Sequence, residues 1–172
     1  MCVIIIKRKG VQLPAPEILD ACHVANPDGM GFVSSSGKNY RGMRYEKLLS
    51  RLDSVGVEEE CIIHFRFATH GSIRPKNCHP FRSGKVWFAH NGILPIDAKG
   101  DMTDSETAFR YILMPAIKWF GIESEEFDAT VNSIIGASKF AFMIDGKAYC
   151  FGTYYYFDGC FYSNLRFLCR KQ

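Results

Sequence analysis

Apolar residues along the chain follow two patterns, continuous or alternating runs and runs with helical spacing. Residues 3–6 are all β-branched, which is typical of a strand covered on both faces. Other strands and hairpins are predicted at 61–67, at 85–92, across 30–35 and 39–43, and around the Asp-Gly pairs at 145–146 and 158–159. Strand-forming segments therefore lie towards both ends of the chain.

Segments with helical character occupy the middle. A proline start precedes an apolar run at 14–26, and residues 44–54 are amphipathic at helical spacing. A capping box predicts a helix from about Asp104, Pro115 should kink or end it, and another helix is expected near 124–135. Strands at both ends with helices between them predict an α+β fold of layered sheets covered by helices, in a single domain over 1–172.

Composition excludes several classes of function. The 172 residues suffice for one domain, and 47% apolar with 23% charged residues is ordinary for a globular protein. The net charge of +3 is spread along the chain, without a block of Lys and Arg. We therefore expect no nucleic-acid partner and no membrane partner, and no stretch approaches the roughly 18 apolar residues of a membrane span.

The seven cysteines form an odd set without a Cys-x-x-Cys pair. Such a set is typical of free thiols in a reducing compartment, so the sequence predicts a cytoplasmic protein. The apolar run at 3–6 is short and is followed by basic residues, which argues against a signal peptide.

Four short pieces carry candidate chemistry, and each also has a purely structural explanation. Cys2 could be a small buried residue at the start of a strand. Arg66 could extend to the surface, Asn91-Gly92 could form a hairpin turn, and Asp104 could stabilise a helix start. Taken singly, each structural explanation is the stronger one.

Taken together, five motifs in order resemble one family. They are MC at 1–2, HFRFATHG at 64–71, NCHP at 77–80, HNG at 90–92 and TDSE at 103–106, with a similar NPDGMGF turn at 26–32. This series is similar to the class II glutamine amidotransferase domain, which carries an N-terminal nucleophile and stands at the front of glucosamine-6-phosphate synthase, amidophosphoribosyltransferase and asparagine synthetase. The resemblance implies a four-layer αββα sandwich of the N-terminal-nucleophile hydrolase type.

The resemblance also implies an activity, namely hydrolysis of the glutamine side-chain amide through a thioester, with release of ammonia and no cofactor or metal. Cys2 would be the nucleophile once Met1 is removed, and its own α-amine would be the base. The α-amine has a pKa of about 8 and a thiol about 8.5, so proton transfer between them is feasible near neutral pH. The Asn91 amide and the Gly92 backbone N–H would form the oxyanion hole.

Substrate-binding roles follow from the same resemblance. Arg66 would hold the α-carboxylate of glutamine in its planar fork, and Asp104 would receive the α-ammonium. Phe67, Thr69 and His70 would line the pocket.

The acceptor of the ammonia is left open by the sequence. No P-loop or dinucleotide-binding motif occurs, and we expect a glutaminase-like domain without a fused synthetase domain. A separate synthetase subunit would then accept the ammonia. The alternatives are an N-terminal-nucleophile amidohydrolase that acts on another amide, and a catalytically silent regulatory relative.

A metal site is a further alternative from a different class. Four histidines and a cysteine fall within 27 residues, but their spacing fits no zinc motif. Hydrogen bonding in the loops and the core is the expected role of these residues, which are His64, His70, Cys78, His79 and His90.

Overall fold

The computed structural model describes residues 1–68 and 71–169. Over these residues ten strands alternate with short helices, largely as the apolar pattern predicts. The strands are β1 Val3–Lys7, β2 Met30–Ser34, β3 Asn39–Gly42, β4 Cys61–Phe65, β5 Phe81–Ser83, β6 Val86–Asn91, β7 Lys139–Ile144, β8 Lys147–Phe151, β9 Tyr155–Phe157 and β10 Cys160–Tyr162. The α-helices are α1 Pro16–Ala25, α2 Tyr45–Leu52, α3 Asp104–Ala108, α4 Met114–Phe120 and α5 Glu125–Ile135.

The strands form two antiparallel sheets. The first has the order β3-β2-β4-β1-β10-β9, and the second has the order β5-β6-β7-β8. The side chains of β1 alternate between two cores: Val3 and Ile5 pack with α1 and α2, whereas Ile4 and Ile6 pack against the second sheet. This explains why the β1 sequence is continuously apolar.

The helices α3, α4 and α5 cover the outer face of the second sheet, where Phe88 and Phe142 lie in a third core cluster. The layers are therefore helices, sheet, sheet and helices, which confirms the predicted α+β fold of αββα type. All seven cysteines lie within the described residues, and all are free thiols. Across residues 1–68 and 71–169, no helix combines the length and the apolar character that a membrane crossing needs.

Strand β1 is the central element for the site because Cys2 immediately precedes it. Its neighbours are β4 and β10, and Val3 lies opposite Phe65. At its other end the buried ammonium of Lys7 donates hydrogen bonds to the carbonyls of Gly56, Val57 and Glu59 at 3.0, 2.9 and 2.5 Å. Both the apolar core and this caged ammonium therefore fix the position of β1.

Three details differ from the predicted elements. The strand predicted at 61–67 ends at Phe65, because the Arg66 backbone turns to pair with Asp28 and Gly29. Strand β5 is not anticipated by the pattern, since it is only three residues long. Pro115 does not end the helical run, which continues through a π-helical segment at 109–113 into α4. The proline then falls in the first turn of α4, where its missing N–H costs little.

Both predicted Asp-Gly hairpins are confirmed. Asp145 and Gly146 join β7 to β8, and Asp158 and Gly159 join β9 to β10, each with positive φ angles of 45° to 81°. These angles suit the tight turn that Asp-Gly pairs favour.

Candidate active site

Cys2 is held against the segment that follows β4. Its Sγ lies 3.4 Å from the backbone N of Phe67 and 3.5 Å from the Phe67 carbonyl oxygen. Asn164 donates a 2.8 Å hydrogen bond to the Cys2 carbonyl. Burial raises the pKa of the Cys2 thiol, while the Phe67 backbone, the terminal ammonium and Arg66 act in the opposite direction. The thiol is thus fixed in place, and burial outweighs the nearby positive charge, so that its pKa lies above the usual value.

Arg66 is almost fully buried, with only 4% of its surface exposed. Its Nη1 donates to the carbonyls of Asp28 and Ser72 at 3.4 and 3.3 Å. The Asp28 carboxylate accepts the Ala68 N–H at 2.8 Å. The Asn-Pro-Asp-Gly turn therefore holds the segment 66–68 through both the backbone carbonyl and the side-chain carboxylate of Asp28.

Gly29 in that turn could not be replaced by a residue with a side chain. Its φ is +127°, and an added Cβ would lie 2.5 Å from the Cys78 Sγ. The turn therefore depends on glycine for both its conformation and its close contact with Cys78.

Asn91 ends β6 in the second sheet and is only 2% exposed. Its Nδ2 donates to the Ser163 hydroxyl at 2.8 Å. The same hydroxyl accepts the backbone N–H of Ile4 at 2.8 Å, so Asn91 is linked to β1 through one serine. The Asn91 Oδ1 is buried and has no hydrogen-bond partner among the described residues.

Gly92 follows with φ +144°, and an added Cβ would lie 2.1 Å from the Ser138 Oγ and 2.9 Å from its Cα. No other residue fits this close approach of two backbones. The Gly92 backbone is therefore packed directly against Ser138, and this contact requires glycine at position 92.

Asp104 lies at the start of α3, where the Thr103 hydroxyl caps the helix by accepting the Glu106 N–H. Its Oδ2 accepts the Leu94 N–H at 2.9 Å, and its Oδ1 accepts the Ser105 N–H at 2.7 Å. The carboxylate thus ties the loop after Gly92 to the helix. Oδ1 also accepts the Ser105 hydroxyl at 3.2 Å, so Oδ2 is the oxygen with a second lone pair available for a bound cation.

Residues from both sheets and from α3 meet in one small cavity. We call this cavity of about 30 Å³ the polar cleft. Its walls include Cys2, Arg66, His79, His90, Gly92 and Asp104.

A second, larger cavity of about 420 Å³ also borders Cys2. We call it the cationic cavity, and its walls include Cys2, Phe67, Asn91, Gly92, Lys139 and Arg166. The charged groups predicted to hold an amino acid line the smaller cavity, and charge complementarity rather than volume makes that cavity the better candidate for the amino-acid site. Of the predicted site residues, Thr69 and His70 lie outside the described residues.

Three buried histidines lie at the polar cleft: His79 and His90 line it, and the His64 ring packs against that of His79. Burial lowers the pKa of His64 to about 3 and that of His90 to about 4, and it lowers the pKa of His79 as well. His64 Nε2 lies 3.1 Å from the His90 carbonyl, and His90 Nδ1 lies 2.7 Å from the Ser105 hydroxyl. Burial therefore favours the neutral form of all three rings. His64 and His90 take part in hydrogen bonding, whereas both ring nitrogens of His79 are buried and have no partner among the described residues.

Within the part of the chain that the structure describes, no three His, Cys, Asp or Glu side chains are grouped so that they could hold a metal ion. Cys78, which completes the histidine-rich stretch of sequence, contacts the Gly42 carbonyl and Met43.

Four positioning residues were missed by the sequence reasoning. Ser163 and Asn164 hold Asn91 and Cys2, and Ser138 packs on Gly92. They follow or precede strands that pair with distant segments, so no local motif marks them. Asp28 is the exception, because it lies in the NPDGMGF segment at 26–32, which is one of the motifs quoted from the sequence.

Comparison with known proteins places these observations in a family. A model of the family described as class-II glutamine amidotransferases matches residues 47–138, more than half of the chain. The glutamine–fructose-6-phosphate aminotransferase (isomerizing) of Caulobacter vibrioides is 28% identical over 138 residues, which cover 70% of this chain and 23% of that protein. The enzyme of the same name from Haemophilus ducreyi is 32% identical over 75 residues, or 37% of this chain and 12% of that protein.

The fold is also similar to that of a solved structure. Glutamine phosphoribosylpyrophosphate amidotransferase from B. subtilis, complexed with ADP and GMP, aligns with a TM-score of 0.53 at 21% identity over 84% of this chain and 35% of that chain. This likeness supports the predicted N-terminal-nucleophile type of αββα fold. The matches span less than a quarter of the length of the two curated relatives.

Proposed function

Because the chain belongs to the class-II glutamine amidotransferases, we propose that it hydrolyses the side-chain amide of glutamine through a thioester on Cys2. One observation carries this proposal. A nucleophile, a buried guanidinium and a carboxylate, which come from three different elements, line the same polar cleft. An α-amino acid needs both of these charges, because it carries a carboxylate and an ammonium.

The proposed nucleophile acts after Met1 is removed. The α-amine of Cys2 then takes the thiol proton, since the two groups have intrinsic pKa values of about 8 and 8.5. The Sγ attacks the amide carbon, the C–N bond breaks, and ammonia leaves with a proton from the α-ammonium. Water then cleaves the thioester to give glutamate and the free thiol.

The proposed oxyanion hole requires one adjustment of Asn91. Half a turn of its terminal amide exchanges Oδ1 and Nδ2, two atoms that are assigned from the hydrogen-bond network. The Ser163 hydroxyl, which already accepts the Ile4 N–H, would then donate to Oδ1. The NH₂ group would take the buried position that now has no partner, and it would be available, with the Gly92 N–H, to a developing oxyanion.

Substrate binding requires the polar cleft to widen. Its volume of about 30 Å³ holds about two water molecules. In our proposal Arg66 binds the α-carboxylate, Asp104 binds the α-ammonium, and Phe67 forms an aromatic wall. Thr69 and His70 lie outside the described residues, and their proposed role is to bind the same substrate.

The identity of the molecule that accepts the ammonia is a separate question from amide hydrolysis. The relatives transfer an amino group, as their names state, but their matched parts are small fractions of their lengths. We propose that the ammonia made here passes to a separate acceptor protein.

The direct test is a glutaminase assay on the purified chain with Met1 removed, in which glutamate and ammonia are both measured. The expected result is stoichiometric release of the two products. A folded chain that lacks Met1 and produces no glutamate would contradict the proposal and favour a catalytically silent regulatory relative.

A further inference from the structure

The cationic cavity has walls of a different kind from those of the polar cleft. Besides Cys2, Phe67 and Gly92, which border both cavities, its surface includes the apolar residues Ile93 and Ala137, together with Met1, which is absent from the processed chain. Its volume of about 420 Å³ lies within the range typical of small-molecule sites. A leaving ammonia molecule, which is about the size of water, would not need such a space.

The charges on these walls have one sign. Lys139 and Arg166 are the charged side chains on the surface of this cavity, and none of its ten described wall residues is acidic. Among residues 1–68 and 71–169, no carboxylate forms an ion pair with either cation. The Lys139 ammonium donates to the Ala137 carbonyl at 2.8 Å, a bond that leaves two of its three protons available.

The location of Lys139 ties these charges to the reacting centre. It lies directly opposite Asn91 in the β6–β7 pair, and Ser138 packs on Gly92. An anion held by Lys139 and Arg166 would therefore lie close to the proposed oxyanion hole, in a cavity that Asp104 does not border.

The geometry of amide cleavage assigns a role to each side. A carbonyl carbon bonded to the Cys2 Sγ carries three other groups, namely the acyl chain, the oxygen and the nitrogen. The polar cleft takes the acyl chain with its charged amino-acid end, and Asn91 with Gly92 takes the oxygen. The nitrogen and its substituent are left with the cationic cavity.

We propose that the substrates include γ-glutamyl amides whose amine portion is itself an amino acid, that is, γ-glutamyl dipeptides. The free carboxylate of the second amino acid would pair with Arg166 and Lys139, and an apolar side chain would contact Ile93 and Ala137. This inference rests on the proposed function, because it uses the same thioester on Cys2 and names the amide that the site accepts.

The reaction remains balanced with this substrate. The Sγ–C bond forms, the C–N bond breaks, and the amino acid leaves with the proton that the thiol gave to the α-amine. Water then adds to the thioester carbon, which releases glutamate and restores the thiol. No oxidant, reductant or further reactant is needed.

Three substrates of graded structure test the proposal. They are L-glutamine, γ-glutamyl-leucine and the γ-glutamyl amide of isopentylamine, which is the dipeptide without its carboxylate. The expected kcat/KM for γ-glutamyl-leucine is at least about tenfold above that for the other two. Equal or lower values for the dipeptide would overturn the proposal.

Variants of the cations test which groups are responsible. Arg166→Gln and Lys139→Gln should lower kcat/KM for γ-glutamyl-leucine at least about tenfold more than for glutamine. The matched control is Arg51→Gln, which removes the same charge from α2, where Arg51 donates to the Asn39 carbonyl. An equal loss on both substrates would show that the cations act only on stability or on the shared chemistry, and it would overturn the assignment.

Binding measurements separate this inference from the proposed function. Calorimetry with a Cys2→Ala variant should detect γ-glutamyl-leucine, and Arg166→Gln in that background should weaken its binding at least about tenfold. Turnover of glutamine without binding or cleavage of the dipeptide overturns this inference alone. Cleavage of the dipeptide without glutamine turnover supports it and contradicts glutamine as substrate, and no turnover and no binding of either compound contradicts both.

Discussion

Two cavities meet at Cys2, and their construction differs. The polar cleft is small. Its arginine donates hydrogen bonds to the carbonyls of Asp28 and Ser72, and its carboxylate accepts the N–H groups of Leu94 and of Ser105 at the start of α3. The cationic cavity is more than ten times larger, and its two cations lie nearer to the surface. A site with buried and fixed charges discriminates strongly, because any charge left unpaired there is costly. A roomier site with accessible cations contributes less selectivity per contact.

The largest loss of activity is expected from a change at Cys2, which borders both cavities. Cys2→Ala should lower hydrolysis of every substrate by about 10⁴-fold or more, since it removes the nucleophile on which both sides depend. Steady-state kinetics measures the loss, and Cys150→Ala, which alters an exposed thiol, is the matched control. An extra residue ahead of Cys2 should do nearly as much harm, because it hides the α-amine. Substantial turnover by a chain that retains Met1 would rule out the N-terminal mechanism.

Asn91→Ala should act at the boundary between the cavities. Loss of one oxyanion donor is expected to lower kcat by about a hundredfold with little change in KM. Asn39→Ala is a suitable control, since its amide only caps a surface turn. If Asn91→Ala instead mainly unfolds the protein in a thermal scan, the hydrogen bond to Ser163 is structural and the hairpin-turn explanation is correct.

The selectivity of the polar cleft can be measured by comparing glutamine with N-acetylglutamine. Acylation removes the α-ammonium and leaves Asp104 without its cation, at a cost of about 3–5 kcal/mol. The rates should therefore differ by more than about a hundredfold. Similar rates on the two compounds would mean that Asp104 is only a helix-start carboxylate.

Asp104→Asn should give a smaller change that is confined to binding. We expect KM for glutamine to rise about tenfold, with a lesser effect on kcat, because the lost contact is far from the reacting carbon. Glu106→Gln removes the same charge two residues later, where Glu106 pairs with Arg110, and it should leave KM near that of the wild type. A fall in kcat with unchanged KM in Asp104→Asn would contradict an ammonium-binding role.

The buried histidines at the polar cleft should give the most gradual effect, a dependence of stability on pH. The pKa values of His64 and His90 are lowered to about 3 and about 4, so the unfolded chain binds protons more readily than the folded one. The free energy of unfolding should be constant above about pH 6.5 and fall below it, by about 1.4 kcal/mol per pH unit for each histidine.

Urea denaturation at pH 7.5, 6.0 and 5.0 measures this dependence. His79→Phe removes one of the three titrating rings and should make the fall less steep. A free energy of unfolding that stays constant down to pH 5 would show that these rings are not held neutral.

Much of the site could be predicted because its chemistry lies in short motifs. The strand over 3–6, the glycine at 92 and the acidic residue at 104 each have a local signal, and their order along the chain supplied the family resemblance. The structure adds that Cys2, Gly92 and Asp104, which are far apart in sequence, line the same polar cleft. The three-residue strand β5 and the early end of β4 have no such signal, since both depend on contacts made elsewhere in the fold.

The cationic cavity could not be predicted in this way. Its cations are Lys139, the first residue of β7, and Arg166, which follows β10. They become neighbours of Cys2 only because β10 pairs with β1 and β7 pairs with β6. The hydrogen bonds of Ser163 and Asn164 have the same origin. Pairing between segments far apart in sequence leaves no periodic pattern, so only the folded chain reveals these residues.

Mass spectrometry of the purified chain, before and after treatment with a glutamine-mimicking electrophile, tests the central claim most directly. The account predicts that the chain lacks Met1 and gains one adduct located on Cys2 by peptide mapping. It also predicts that excess glutamine prevents the adduct. An intact Met1 in an active preparation, or an adduct on another cysteine that glutamine does not suppress, would contradict it.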